Sequence, residues 1–403
     1  DSGKALSFGW HFLYIPPKNY KIKFEGENTP SEQKIEAFLK QIEESIEHLL
    51  RYVGDLKDSL GKCAGLVYKS LRCNRFREIT NSLLQAKIQC EKLTYCHPKL
   101  MSAIFPRLGD LLLSAERYKD ALDCYQKALE LDQRNASTFS GQGAALANLE
   151  RYEEALESFE KAIDLDPESL DSWVNKGHTL NNLGRYEEAL ESYKKAVDLD
   201  HKSVNAWVNR GNTLNNLERY EEALESYQKG IDLDPKSVDA WVNQGNALLD
   251  LERYEEALTA CDRAVEIDSK NHQALNTQAL ALSILKNFEK AITAIDEAIN
   301  LEPQEVLYRA NRGIILARAG RYTEALAECE QAIKQDRKHE SGYYGKACYY
   351  ALQGEIGQAI DNLQKAIDIA PRLSRSEAKH NPDFDSIRDD EKFRDLMQSE
   401  SKC

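Results

Sequence analysis

The chain has 403 residues, 42% of them hydrophobic and 30% charged, and a formal net charge of −14. That balance belongs to a folded protein with a sizeable core and excludes wholesale disorder. The negative charge argues against general affinity for nucleic acid or anionic membrane, which are negative themselves.

In chain order, residues 1–30 open with LSFGWHFLYI and NYKIKF around a PPK turn, with Tyr20, Ile22 and Phe24 alternating against Lys21 and Lys23. This pattern predicts a short β hairpin. An isolated hairpin is marginal in water, so it is expected to be the end of a preceding domain or to dock on a partner. After Ser31, a residue type that caps helix N-termini, Ile35, Phe38, Leu39, Ile42, Ile46, Leu49 and Leu50 recur at helical spacing. Further on, RFREITNSLLQA from Arg75 to Ala86 echoes RYEEALESFEKA from Arg151 to Ala162. Residues 31–101 therefore read as a helical extension with one degenerate repeat.

From Ser102 the pattern becomes periodic. RYEEALESY occupies positions 185–193 and again 219–227, 34 residues apart. Steps of that length connect Tyr118, Tyr152, Tyr186, Tyr220, Tyr254, Phe288 and Tyr322, each followed three residues later by alanine, from Ala121 to Ala325. Nine residues before each aromatic stands a small residue, Gly109, Gly143, Gly177, Gly211, Gly245, Ala279 and Gly313, and an eighth unit repeats the frame around Ile356, Ala359 and Ala347. Glycine within a helical pattern costs about 1 kcal/mol relative to alanine, so its recurrence marks places where elements approach closely. In the unit from Val204 to Ser237 the spacing predicts one helix over 206–217 and a second over 220–232, which Asp234 and Pro235 end. Residues 102–373 thus form eight 34-residue helix pairs, each unable to bury its apolar stripe without a neighbour. Residues 374–403 carry Phe384, Ile387, Phe393, Leu396 and Met397 among many charges and suit a C-terminal capping helix and tail, with a break at Asn381 and Pro382.

The repeat resembles the tetratricopeptide repeat family on specific positions. Counting each unit from Ser102, Ala136, Leu170, Val204, Val238, His272, Val306 and Glu340, an aromatic stands at the fourth place in Trp173, Trp207 and Trp241. The small residue falls at the eighth place, an aromatic at the seventeenth, alanine at the twentieth, and proline at the thirty-second in Pro167, Pro235, Pro303 and Pro371. The sixth and eighth units depart most, with Ala279 and Ala347 for glycine and Ile295 and Leu363 at the twenty-fourth place, where Tyr193 and Tyr227 supply a further aromatic. The resemblance implies an all-α, right-handed superhelical solenoid of helix pairs whose first helices line a concave groove.

At 100° per residue the second, sixth, ninth and thirteenth places of a first helix share one face. In the fourth repeat they are Asn205, Asn209, Asn212 and Asn216. The third repeat places Asp171, Asn175, His178 and Asn182 there, the fifth places Asp239, Asn243, Asn246 and Asp250, and Asn311 extends the row in the seventh, with Thr277 interrupting it. Asparagine is a poor helix former, so helix stability did not select it. A side-chain amide donates and accepts as a peptide group does, and arrays of the resembled family with similar rows bind polypeptide. The expectation is a protein-interaction scaffold holding an extended segment of a partner protein. Recent duplication of one unit would leave the same row without a ligand, and both readings stand at this point. His178 would make binding depend on pH.

The family's carboxylate clamp for chaperone tails is absent from the third to fifth repeats, since Val174, Val208 and Val242 occupy the fifth place and Asn205 and Asp239 the second. Leu307, Ile314, Ala317, Tyr344, Cys348 and Ala351 form an apolar wall that either takes ligand side chains or is covered by a C-terminal helix. An alternative function is the sensing or regulatory arm of a larger effector, a protease or nucleotide-hydrolysing switch, with its catalytic part in a preceding domain or a partner.

The motif search returns no HExxH, GxSxG or GxGxxG, and GDLKDSLGKC lacks the glycine spacing and Ser/Thr of a phosphate loop. Nine cysteines with no CxxC read as reduced thiols of a cytoplasmic protein, and Cys90, Cys96 and His97 lack zinc-site spacing. The expectation is no enzyme, no metal, no cofactor, no nucleic acid and no membrane among its partners.

Overall fold

A computed structural model describes residues 98–398, together with Asn81, Leu84, Lys87, Ile88 and Glu91 upstream. The hairpin expected in residues 1–30 lies outside the described residues, as does most of the extension over 31–101. Among the described residues there is no strand, and the fold is an all-α repeat array. Its paired helices are α1 (Pro98–Ser114) with α2 (Tyr118–Leu131), α3 (Ala136–Asn148) with α4 (Tyr152–Leu165), and α5 (Leu170–Asn182) with α6 (Tyr186–Leu199). They continue as α7 (Val204–Asn216) with α8 (Tyr220–Leu233), α9 (Val238–Asp250) with α10 (Tyr254–Ile267), and α11 (His272–Ile284) with α12 (Phe288–Leu301). The last pairs are α13 (Val306–Arg318) with α14 (Tyr322–Gln335) and α15 (Glu340–Leu352) with α16 (Ile356–Ile369). The C-terminal segment adds α17 (Pro371–His380), a 3-10 turn (Pro382–Ile387) and α18 (Glu391–Gln398). Two compact units divide the chain at Ser172 and Trp173, within α5.

Each pair is joined in the same way. The fifteenth residue of every repeat adopts a left-handed conformation, φ +72° at Gly184 and +59° at Glu218 for example. The next N–H then reaches back five residues, as in Arg185 to the Leu180 carbonyl at 2.9 Å and Arg219 to Leu214 at 2.9 Å. This closes the first helix and aims the second back along it. The first helices are capped at their N-termini by side chains, Asn135 accepting from the Thr138 N–H, Ser203 from Ala206 and Ser237 from Ala240. The second helices have no such cap. Most begin instead at an arginine that forks onto a first-turn carboxylate, as Arg185 to Glu188 and Arg219 to Glu222, both at 2.6 Å, whereas α12 follows Asn287 and α16 follows Glu355. The guanidinium holds these exposed carboxyls below their ordinary range.

The recurring glycine has one steric cause. A Cβ added at Gly177 would stand 2.7 Å from the Tyr193 ring, and one at Gly143 would stand 2.7 Å from the Phe159 ring. Tyr125, Phe159, Tyr193 and Tyr227 are among the largest fully buried side chains. Where the fifth and seventh repeats place Cys261 and Cys329 instead, the thiols pack on Gly245 and Gly313. Burial pushes both thiols up to about 12, which makes them inert packing groups. Where the facing residue is the aliphatic Ile295 or Leu363, Ala279 and Ala347 share its buried cluster.

Gly143→Ala tests this contact, because alanine normally favours a helix by about 1 kcal/mol. Here the methyl must displace the Phe159 ring, so the expected result is the opposite sign, a loss of about 1–3 kcal/mol in urea unfolding. Phe159→Ala combined with Gly143→Ala is expected to show strong coupling rather than additivity.

Candidate functional site

The second compact unit, from Trp173, carries the asparagine row on α5, α7 and α9, with Thr277 of α11 and Asn311 of α13 continuing it. From α7 to α15, consecutive first helices touch one another. Asn182, Asn205 and Asn216 stand exposed, and Asn175, Asn209, Asn212, Asn243 and Asn246 are half-buried. Asn311 is buried.

Several of these amides bond within the array. The Asn209 Nδ2 lies 3.1 Å from the His178 Nε2. That imidazole is exposed on one side and stands edge-on to Tyr193, with ring centroids 5.9 Å apart, and the desolvation of its packed side lowers its pKa. A neutral ring is therefore favoured, with Nε2 as acceptor for the amide. The Asn246 Oδ1 accepts from the Thr277 hydroxyl at 2.9 Å. In both pairs the ninth place of one repeat meets the sixth place of the next. Thr277, which reads as an interruption of the row in sequence, continues it in space. Asn311 donates to the Asn276 Oδ1 at 2.8 Å, while Asn212 accepts from the Tyr227 hydroxyl of its own repeat at 2.9 Å. Two partners escaped the sequence reading. Asn181 donates to the Thr213 Oγ at 2.9 Å, and Asn276 sits one place before the row. Their signal was present only as polar residues next to the stripe, without a period of their own.

Asn243, Asn246 and Asn311 line a cavity of about 650 Å³, with Thr277 and Tyr308 in its wall and Leu373, Glu377 and His380 of α17 across it. The apolar wall of the last repeats is covered. Ile314, Tyr344, Cys348 and Ala351 form one buried cluster with Ala378, Phe384, Ile387, Phe393 and Leu396 of the C-terminal segment. Arg318 fastens that segment, its Nε donating to the Asp383 Oδ1 at 2.8 Å, its Nη1 to the Ser283 Oγ at 2.8 Å and its Nη2 to the Asn381 Oδ1 at 3.3 Å. Asn381 in turn donates to the Tyr344 hydroxyl at 3.0 Å. From there α17 runs back to the third and fourth repeats. The Arg372 Nη2 donates to the Asn216 carbonyl at 2.9 Å, and its guanidinium lies over the Tyr186 ring, 4.7 Å from the centroid. The Ser376 hydroxyl donates to Glu218 at 3.2 Å, and the Lys379 Nζ stands 3.8 Å from the same carboxylate.

Two carboxyls at this contact, Asp250 of α9 and Glu377 of α17 itself, are protonated more readily than usual. Burial, with the Glu218 charge nearby and an Asn215 hydrogen bond opposing, brings Asp250 up to about 6. Glu377 is exposed to the cavity, and the desolvation by its walls, with Glu340 and Asp250 facing it, brings its carboxyl up to about 7. Among the described residues no group of three or more His, Cys, Asp or Glu is placed to hold a metal ion. None of the described helices is long and apolar enough to cross a membrane.

This architecture defines a helical repeat array, and the family follows from sequence models. Models described as tetratricopeptide repeat match residues 107–169, 208–272 and 276–340, and further repeat models match 158–191, 177–218 and 341–373. The chain belongs to the tetratricopeptide repeat family, whose members are generally scaffolds rather than catalysts. Among solved structures, a tetratricopeptide repeat protein from Parabacteroides merdae is 19% identical over 61% of this chain and 98% of that one, with a TM-score of 0.53. That likeness shows the fold. YrrB, a repeat protein with an unusual peptide-binding site, is 25% identical over 47% of this chain and 98% of its own, with a TM-score of 0.37. A chain of the Cut9–Hcn1 assembly of the APC/C is 17% identical over 78% of this chain and 58% of that one, with a TM-score of 0.49. The search of curated proteins returns no match.

A double-mutant cycle on Asn246→Ala and Thr277→Val is expected to give a coupling of about 0.5–1.5 kcal/mol in urea unfolding. Zero coupling would remove the hydrogen bond between repeats from the account. The carboxyls give a pH dependence of definite sign. A raised folded pKa favours the docked state below the unfolded value, and that contribution is lost as pH rises through about 6 for Asp250 and about 7 for Glu377. Glu218, Glu340, Lys379, His339 and His380 also face this region and set its background charge. Amide exchange in 371–380, corrected for its intrinsic rate, is expected to be roughly tenfold faster at pH 8 than at pH 5.5. Asp250→Asn is expected to flatten that difference.

Proposed function

We propose that the second compact unit is a protein-interaction scaffold that holds an extended segment of another protein along the asparagine row. The observation that carries the reading is the repetition of side-chain amides at matching places on consecutive first helices, Asn175, Asn209 and Asn243 at one level and Asn212 and Asn246 at another. An extended chain exposes N–H and C=O groups that no other part of it satisfies. An amide at each repeat supplies both partners with little regard to the side chains passing by. The internal bonds of the row support this use, because each occupies one end of a group that has two, and they fix the orientation of the other. Pre-set rotamers lower the entropy lost on binding. Buried, unreactive thiols at Cys124, Cys261, Cys329 and Cys348 agree with work in a reducing cytoplasm.

Capture of partners from native lysate by the chain, and by a variant with Asn175, Asn209, Asn212, Asn243 and Asn246 changed to alanine, tests the proposal after circular dichroism shows equal helicity. The expected outcome is a partner held by the parent chain and weakened at least about tenfold in the variant, from the loss of several hydrogen bonds of about 1 kcal/mol each. Equal retention of every partner would show that the row is a product of duplication with a purely internal role.

A further inference from the structure

The C-terminal segment is attached in two unlike ways. Phe384, Ile387, Phe393 and Leu396 are buried in one apolar cluster on the last repeats, and the Arg318–Asp383 pair beside them is buried as well. The helix α17 is different, because in PRLSRSEAKH only Ser374 and Ala378 are buried and Leu373 is 50% exposed. Its hold on the third and fourth repeats consists of the Arg372 stack on Tyr186, the bond to the Asn216 carbonyl, and Ser376 and Lys379 against Glu218. Exposed polar contacts of this kind bind weakly between separate molecules. Here they are sustained by the tether, which keeps the helix at high local concentration over its seat.

The seat itself is not fully matched to its occupant. Tyr186, the end of α7 at Asn216, Glu218 and Asp250 offer a π face, a carbonyl and two carboxyls, all complementary to positive charge. Arg372, Ser376 and Lys379, at one-turn and two-turn spacing, meet that surface well. Glu377 does not, since it faces Asp250 and Glu340 across the cavity.

We propose that the rim formed by Tyr186, Asn216 and Glu218 is a docking surface for a short basic helix of another protein, and that α17 is its resident occupant, displaced when the partner helix binds. The partner repeats the basic spacing of Arg372 and Lys379 but carries a neutral or basic residue where α17 has Glu377. The helix seated on the rim also lines, through Leu373, Glu377 and His380, the cavity of Asn243 and Asn246, and the proposal rests on the preceding reading only for this neighbourhood. Displacing α17 opens the cavity that Asn243 and Asn246 line, so occupation of the rim and access to the row are linked.

The experiment uses fluorescein-labelled, N-acetylated peptides of residues 370–382, in the native sequence and with Glu377→Gln. They are titrated by anisotropy against the full chain and against the full chain carrying Arg372→Glu, Ser376→Glu and Lys379→Glu. The expected result is binding to the triple variant about tenfold tighter than to the parent, because the variant's own helix no longer fills the seat. The Gln peptide is expected to bind the variant more tightly than the native peptide at pH 8 and equally at pH 5.5. Arg372→Ala alone, a milder change, is expected to give a smaller shift in the same direction. Equal affinity for parent and variants, or no binding to any, overturns the proposal. Adding Glu218→Lys to the triple variant is expected to abolish binding, while adding Asn243→Ala and Asn246→Ala is expected to leave it unchanged. The reverse pattern would place the helix on the asparagine row and overturn the rim.

Discussion

Everything in the array depends on one close approach, a first-helix residue without a side chain against a large side chain of the second helix. Gly177 under Tyr193 and Gly143 under Phe159 leave no room for a methyl group at the present helix separation. Close-packed interiors cannot absorb such an intrusion without moving neighbours. Fixing this distance sets the angle of each pair. Because the same contact recurs every 34 residues, it sets the same surface for each following pair within a unit. The exceptions obey the rule, since Gly245 and Gly313 meet cysteine sulfur, and alanine appears where the opposing residue is Ile295 or Leu363.

The polar row is a consequence of that spacing. When Tyr227 is pushed in beneath Gly211, its hydroxyl must find a partner, and Asn212 is the neighbouring residue that supplies it. Tyr125 and Asp110 repeat the arrangement at 2.7 Å in the first compact unit. Where the fifth repeat has Cys261 in place of the tyrosine, Asn246 turns its oxygen to Thr277 of the next repeat instead. A polar ninth place is therefore required by packing in some repeats and links neighbours in others. Its use toward a ligand comes in addition.

This double service explains what was legible in the sequence. The period, the helix pairs, their ends and the close-approach glycines were all written in local spacing, because each answers to residues within one repeat. The asparagine row was legible as a face. Its bonds were not, because the partner of an amide depends on the register between repeats, and nothing local distinguishes Thr277 as a continuation from Thr277 as a gap. The α17 contacts were further out of reach. Arg372 meets Asn216, 156 positions earlier, and a polar decapeptide carries no periodic signal of where it will lie. The apolar residues of 384–397 announced a cover for the end of the array. Arg318, which fastens that cover, looked in sequence like any surface arginine.

The two attachments of the C-terminal segment differ in what it costs to undo them. Removing one partner of a buried ion pair such as Arg318 with Asp383 costs about 3–5 kcal/mol, because the other charge is stranded without water. Nothing comparable holds α17, whose charges return to solvent when it lifts. The array can therefore keep its end closed while its groove opens. A Glu377 charge facing Asp250 and Glu340 biases the helix toward lifting as pH rises, without touching the anchor. A segment built only to cap the last repeat would have no reason to reach the fourth. A segment built only to bind there would not place a carboxylate against two others. The combination of a firm anchor and a poorly matched arm is what a displaceable cover requires.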